Sequence, residues 1–170
     1  PWDNVDKEFL RIPRKWDASD ISRFMLTIGP VSSVFDIATY LVMYFIICPT
    51  FTGGVVYSKL TDPAMRDLYT AVFQTGWFVE SMWSQTLVIH MIRTPKLPFI
   101  RSRASLPVTA LTALGIAVVT VIPFTPIAKP LGLDVLPGVY FAWLAGIVIG
   151  YMFLATVVKG IYVKVNGELL

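Results

Sequence analysis

Charge is what this sequence lacks most: only 15% of its 170 residues are Asp, Glu, Lys or Arg, against 55% that are hydrophobic. A soluble globular domain carries about 25% charged residues, so the composition argues against a water-soluble fold. Disorder is excluded from the other side, because it requires low hydrophobicity and high net charge, whereas the formal charge is +3 and the mean hydropathy +0.67. That charge is also too small to indicate nucleic acid. A single cysteine, Cys48, rules out an internal disulfide framework and a cysteine zinc cluster. A single histidine, His90, rules out a multi-histidine metal site within the chain. There is no phosphate-binding glycine loop, no nucleophile–base pair and no zinc or EF-hand pattern. No covalent chemistry is expected of this chain alone. The chain begins at Pro1 with a polar stretch and no signal peptide, and reads as a fragment of something longer.

What is present is a set of long uncharged runs. Phe24 to Ser58 contains one charged residue, Asp36; Leu68 to Ile92 contains Glu80, with His90 near its end; Ala104 to Ala128 and Val135 to Val158 contain none. Each run reaches the roughly 20 apolar residues that carry a helix across a hydrocarbon core. Backbone groups in lipid must be satisfied within their own segment, which makes the spans helical. The expected fold is therefore all-α, an integral membrane four-helix bundle of two antiparallel helical hairpins. Ser, Asp, Gly and Pro at the boundaries set its limits. A leading loop covers 1–20, helices cover 21–48, 68–92, 105–123 and 138–160, loops cover 49–67, 93–104 and 124–137, and a tail covers 161–170. Pro30 falls inside the first run, where it kinks a helix or marks its start.

Lys and Arg placement sets the orientation. Eleven of the 14 lie in the N-terminal stretch, the middle connection and the C-terminal end; Lys59, Arg66 and Lys129 are the other three. Both termini and the middle loop are thereby expected in the cytoplasm. Lys and Arg are absent from every expected core.

A carboxylate at mid-span costs roughly 2.5–3.5 kcal/mol on insertion scales. Asp36 and Glu80 are such groups, at similar depth on antiparallel neighbours. Each sits in a polar stripe at helical spacing: Gly29, Ser32, Ser33, Thr39 and Tyr40 around Asp36, and Gln74, Trp77, Ser81, Ser84 and Gln85 around Glu80. Carboxylate, amide and hydroxyl oxygens suit hard cations, so Asp36, Glu80, Ser84 and Gln85 are the candidate ion-pathway residues, with Glu80 the candidate metal ligand. The plainer alternative is a pair of buried carboxyls hydrogen-bonded across a helix pair, and for Asp36 that reading is the stronger. Ala142, Gly146 and Gly150 form a small-residue step suited to close helix packing. The basic run Arg11, Arg14 and Lys15 suits lipid headgroups or a cytoplasmic partner.

Several stretches resemble the bacterial P-type magnesium-transporting ATPases. Pro1-Trp2-Asp3, Asp6 to Leu10 and Pro13 to Asp17 resemble the cytoplasmic loop after that family's sixth membrane helix. Arg23-Phe24-Met25, Gly29-Pro30 and Phe35-Asp36-Ile37 look like the start of its seventh. Phe73 to Glu80 and Ser84 to Thr94 resemble its eighth, and Lys96 to Ile100 with Ser102 to Ala104 continue the match. Thr50 to Asp67 looks like an insertion. The resemblance implies the C-terminal portion, helices seven to ten, of a ten-helix pump that moves Mg2+ into the cytoplasm at the expense of ATP, in the bacterial inner membrane. It implies partners on the same polypeptide: helices one to six and the actuator, nucleotide-binding and phosphorylation domains, where Mg2+ also accompanies ATP. Glu80 matches an acidic position that lines the ion pocket in related pumps, with Ser84 and Gln85 as supporting oxygens. Asp3, Asp6, Arg11, Arg14 and Lys15 would meet the phosphorylation domain. The competing readings are a self-contained four-helix channel or secondary transporter, and a membrane scaffold without transport.

Overall fold

The computed structural model describes residues 3–4, 18–94, 98 and 102–166. Among them are four long helices: α1 (Ala18–Val42), α2 (Pro63–Ile92), α3 (Leu106–Val121) and α4 (Gly138–Asn166). The fold is an all-α membrane helical bundle. Three segments are long and apolar enough to cross a bilayer, Ile21–Phe51, Leu106–Phe124 and Gly138–Asn166. The remaining helix, α2, is 30 residues long. It is the least apolar because it is the central one: it packs against α1, α3 and α4, while α1 also packs along α4. Its buried face meets protein, while Gln74, Trp77, Gln85 and Ile89 remain exposed.

Local chemistry explains the ends. Asp62 caps α2 by accepting a hydrogen bond from the Ala64 amide (3.0 Å), and Pro63 occupies the first helical position, where no amide is needed. Pro107 is the second residue of α3, where again no amide is needed. α1 passes through Pro30 without interruption, so that proline does not mark the helix start. Nor does the helix stop at Cys48. It widens into a π turn over Met43–Ile47 and tightens into a 3-10 turn over Cys48–Phe51. The Tyr44 carbonyl within the π turn accepts a hydrogen bond from the Tyr69 hydroxyl.

α2 starts at Pro63, five residues ahead of the run read from composition, and its first turns pack beside that π turn. Cys48, Leu60 and Tyr69 are buried there, and Arg66 donates to the Leu60 carbonyl (2.8 Å) and sits over the Tyr57 ring. The 50–67 segment is thus a packed projection, turned by Gly53 and Gly54 at positive φ.

The core runs along one face of α4: Tyr140, Leu144, Val148, Tyr151, Ala155, Lys159 and Tyr162 are buried, a spacing of three and four that keeps one stripe inward. α3 is peripheral. Val119 is its one buried residue, while Leu106, Leu111, Leu114, Val118 and Val121 are exposed. Two polar contacts pin it to α2: Trp83 Nε1 donates to Thr120 Oγ1 (3.0 Å), and His90 Nε2 lies 2.9 Å from Thr112 Oγ1.

Two expectations change. Gly150 meets α1, where an added Cβ would lie 3.1 Å from the Phe35 ring, but Gly146 meets nothing within 4 Å and Ala142 is exposed. The larger side chains at 140, 144, 148 and 151 form the contact stripe, and 142 and 146 are turned away from it. Lys159 is not a solvated terminal charge. It is buried, and its Nζ donates to the carbonyls of Met91 (3.0 Å) and Thr94 (3.1 Å). A helix end leaves carbonyls without intrahelical donors and carries partial negative charge. Lys159 of α4 therefore caps α2 from a distance, and a basic residue does lie within the core.

Candidate ion-pathway site

Met43 and Gly76 bring α1 and α2 together. A Cβ at Gly76 would lie 2.3 Å from Met43 Sδ and Cε, so any larger residue there requires the Met43 side chain to move. One turn farther along α2 is Glu80, 1% exposed. Asp36 and Thr39 from α1 and Ser84 from α2 surround its carboxyl. Tyr140 from α4 closes the site on one side, its hydroxyl donating to the Gly76 carbonyl (2.6 Å), and Tyr151 lies near both acids.

Glu80 Oε2 and Thr39 Oγ1 are buried and meet no partner at full hydrogen-bond geometry, but the hydroxyls of Thr39 and Ser84 lie close enough to interact with the Glu80 carboxyl. An unmatched polar atom in such surroundings costs about 1–3 kcal/mol, and more if charged, and these hydroxyls offset part of that cost. Asp36, half-buried, supplies a second carboxyl. No cluster of three His, Cys, Asp or Glu residues exists among the described residues. Two carboxyls with hydroxyl neighbours fall short of a closed ligand cage. They do suit Mg2+, which keeps several waters and takes one or two carboxylates.

Ser84, whose hydroxyl donates to the Ser81 carbonyl (3.0 Å), borders the pocket. Gln85 does not. It is exposed and donates to Ser81 Oγ (3.1 Å) on the adjoining face. That face also exposes Gln74 and Trp77, and Tyr40 of α1 stacks on Phe73 beside them, ring centroids 5.5 Å apart. The polar stripe of α2 thus splits in two: Glu80 and Ser84 turn inward toward α1 and α4, and Gln74, Trp77 and Gln85 turn out of the bundle. Thr39 is the pocket residue that sequence spacing assigned to the stripe without a role.

A second polar centre lies at the Arg93 end of α2. Arg93 Nε pairs with Asp3 Oδ2 at 2.8 Å, and the guanidinium also donates to carbonyls of Asn4 (2.7 Å), Ser102 (3.3 Å) and Arg103 (3.2 Å). Asp3 Oδ1 accepts the Ser105 amide (2.9 Å) at the start of α3. Ser105, the residue in capping position, makes no side-chain cap, and its own amide is instead satisfied by a carboxylate about a hundred positions away. Partial burial works against the Asp3 carboxylate. The Ser105 amide and Arg93 outweigh it and hold Asp3 below the usual carboxylate range. Asp3 is thus engaged within the chain. Asp6, Arg11, Arg14 and Lys15 lie outside the described residues.

The described residues thus form a membrane bundle with a buried acid pocket and an exposed polar, aromatic face. Residues 2–161 match the family of cation-transporting ATPase C-termini, and the chain belongs to that family. It is 47% identical over 168 residues to magnesium-transporting ATPase, P-type 1, of Salmonella typhimurium strain LT2, covering 99% of this chain and 17% of that protein. It is 41% identical over 167 residues to the protein of that name from Escherichia coli K12, covering 98% and 17%. The chain spans about one sixth of the length of these curated relatives.

Proposed function

We propose that this chain is the last four-helix portion of an ATP-driven Mg2+ importer, and that Glu80, with Asp36, Thr39 and Ser84 around it, forms part of the route Mg2+ takes through the membrane. One observation carries the reading: a carboxyl 1% exposed, bordered by the Thr39 and Ser84 hydroxyls and within electrostatic reach of a second carboxyl on a neighbouring helix. Intramembrane acids are rare and mark ion routes. The cargo follows from the relatives, which are magnesium-transporting ATPases.

The uncovered face of Gln74, Trp77 and Gln85 supports a seat for the preceding membrane helices of the same polypeptide. A self-contained channel would turn these groups toward its own axis. The phosphorylation and nucleotide domains belong to the rest of that polypeptide, and the N-terminal segment carrying Asp6, Arg11, Arg14 and Lys15 is the part of this chain proposed to meet them, Asp3 being held by Arg93 and Ser105. Both ends of the chain face the cytoplasm across the inner membrane, following the distribution of Lys and Arg.

The test uses the full-length protein in proteoliposomes. ATP-dependent Mg2+ uptake is expected, and Glu80→Gln lowers uptake at subsaturating Mg2+ while expression is retained. Uptake indistinguishable from wild type in that variant would reduce Glu80 to a structural residue.

A further inference from the structure

We infer that the α3–α4 connection is a membrane anchor lying in the headgroup–acyl boundary, with Phe124, Ile127, Leu131 and Val135 set against lipid. The inference stands on the membrane bundle alone and not on the route of the ion.

The connection leaves α3 where a span of membrane length ends. Leu106–Phe124 covers 19 residues, about 28 Å at the rise of a helix and close to the ~30 Å of a hydrocarbon core. The chain does not turn polar there. Phe124, Ile127, Leu131 and Val135 are all exposed, and along the chain they prolong the exposed apolar series Leu114, Val118 and Val121. Exposed apolar surface of this kind marks contact with a membrane or with protein. Between Ile122 and Pro137 the charged residues are Lys129 and Asp134. Asp134 Oδ1 accepts the Val135 amide (2.7 Å), and exposed Lys129 has a stem long enough to carry its charge to the headgroups.

The backbone suits a setting short of water, where unpaired amides are costly. Pro123, Pro126, Pro130 and Pro137 carry no amide hydrogen. The amides of Thr125 and Ala128 donate to the carbonyls of Ile122 (3.0 Å) and Thr125 (3.1 Å). Those of Leu131 and Leu133 both donate to the Ala128 carbonyl (3.0 Å), and Gly132, at φ 71°, turns the chain and donates to the Lys129 carbonyl (3.0 Å). The Asp134 amide crosses to Thr75 Oγ1 (2.8 Å). Buried Pro123, Ala128 and Leu136 hold the inner side of the loop to the bundle. A loop in water has no need of this pairing, because solvent satisfies its amides.

The other connection at this end is different. Its end at Pro63 lies about 18 Å along the α2 axis from Thr75, and it exposes Ser58, Lys59, Thr61, Asp62, Arg66 and Asp67. That projection stands in water, while the α3–α4 loop is tied to α2 at a lower level. Phe45 and Ile46 of the α1 extension, next to the contact of Met43 with Gly76, are exposed as well, so the apolar surface of the bundle is not confined to one side there. The seat proposed for the preceding helices is the polar, aromatic face of Gln74, Trp77 and Gln85. The loop instead presents aliphatic side chains continuous with the outward surface of α3, which fits acyl chains.

The experiment uses full-length protein in lipid nanodiscs, with an environment-sensitive fluorophore on a cysteine introduced as Ile127→Cys, Leu131→Cys or Lys129→Cys and the signal of the unsubstituted protein subtracted. At 127 and 131, spin labels near the headgroup end of the acyl chains quench strongly and those near the chain ends weakly, while quenching by aqueous iodide is about threefold lower than at 129. All three positions are exposed, so the substitutions disturb no packing; Val135→Cys, also exposed, serves where one of them fails to express. Iodide quenching at 127 and 131 equal to that at 129 overturns the anchor and puts the loop in water. Protection from both iodide and the lipid spin labels overturns it in favour of a protein cover, supplied by preceding helices or by a second copy. Neither result touches the reading of Glu80.

Discussion

Single atoms set the tightest constraints here. Gly76 is a glycine because Met43, in the π turn of α1, fills the space a Cβ would take. Gly76→Ala is expected to destabilise the bundle by about 1–3 kcal/mol through overpacking. Met43→Ala in the same chain should recover part of that loss, which a double-mutant cycle of thermal unfolding in detergent measures as non-additivity. Lys159 follows the opposite logic, being indispensable for what it donates. Lys159→Met keeps most of the apolar stem and removes the ammonium from the Met91 and Thr94 carbonyls. Unfolding at a free energy lower by about 1.5–3 kcal/mol is expected, the range for hydrogen bonds involving a charged group; an unchanged midpoint would show that the cap is dispensable.

Among the helices, α3 has the weakest apolar attachment, and its ends and polar pins matter accordingly. With only Val119 buried, it depends on Thr112, Thr120 and the carboxylate of Asp3 at its first turn. Asp3→Ala should raise amide hydrogen exchange over Leu106 to Thr109, consistent with loss of a hydrogen bond worth about 1 kcal/mol. Asp3→Asn retains an acceptor oxygen and should raise it less. Because the folded state holds this carboxyl below its usual range, the contribution of Asp3 is fully present above the ordinary carboxylate pKa of about 3.9. It is lost as pH falls through the lowered folded value. Exchange at the start of α3 should therefore be flat across neutral pH and rise only in strong acid, after correction for intrinsic rates. An increase already at pH 6 would contradict the assignment.

For the molecule as a whole, the question is which side of the membrane each end occupies. Cysteines placed at Lys59 and Lys129 should react with membrane-impermeant reagents added outside intact cells, with little background from buried Cys48. Labelling of either only in inverted vesicles would reverse the orientation. The same scale explains the uncovered face: Trp77 is 40% exposed beside Gln74 and Tyr40, an arrangement suited to contact with protein more than with acyl chains.

By itself the sequence determined the class of fold, because an uncharged run of membrane length leaves a backbone no option but the helix. It also determined that Asp36 and Glu80 are the acids to explain, since charge inside such a run is conspicuous whatever surrounds it. Tertiary structure alone decided which neighbours each side chain meets. Periodicity grouped Gln85 with Glu80, but helix packing separates them, because a stripe on the central helix is wide enough to face two directions. Composition placed Lys159 among the solvated charges and favoured Gly146 as a contact, yet the register of α4 buries the first and leaves the second open. The surroundings of Glu80, the Asp3 bond to the Ser105 amide and the fit of Met43 on Gly76 all join residues far apart in the chain. Such pairings depend on how helices align against one another, and hydropathy along a single strand of sequence does not record that alignment.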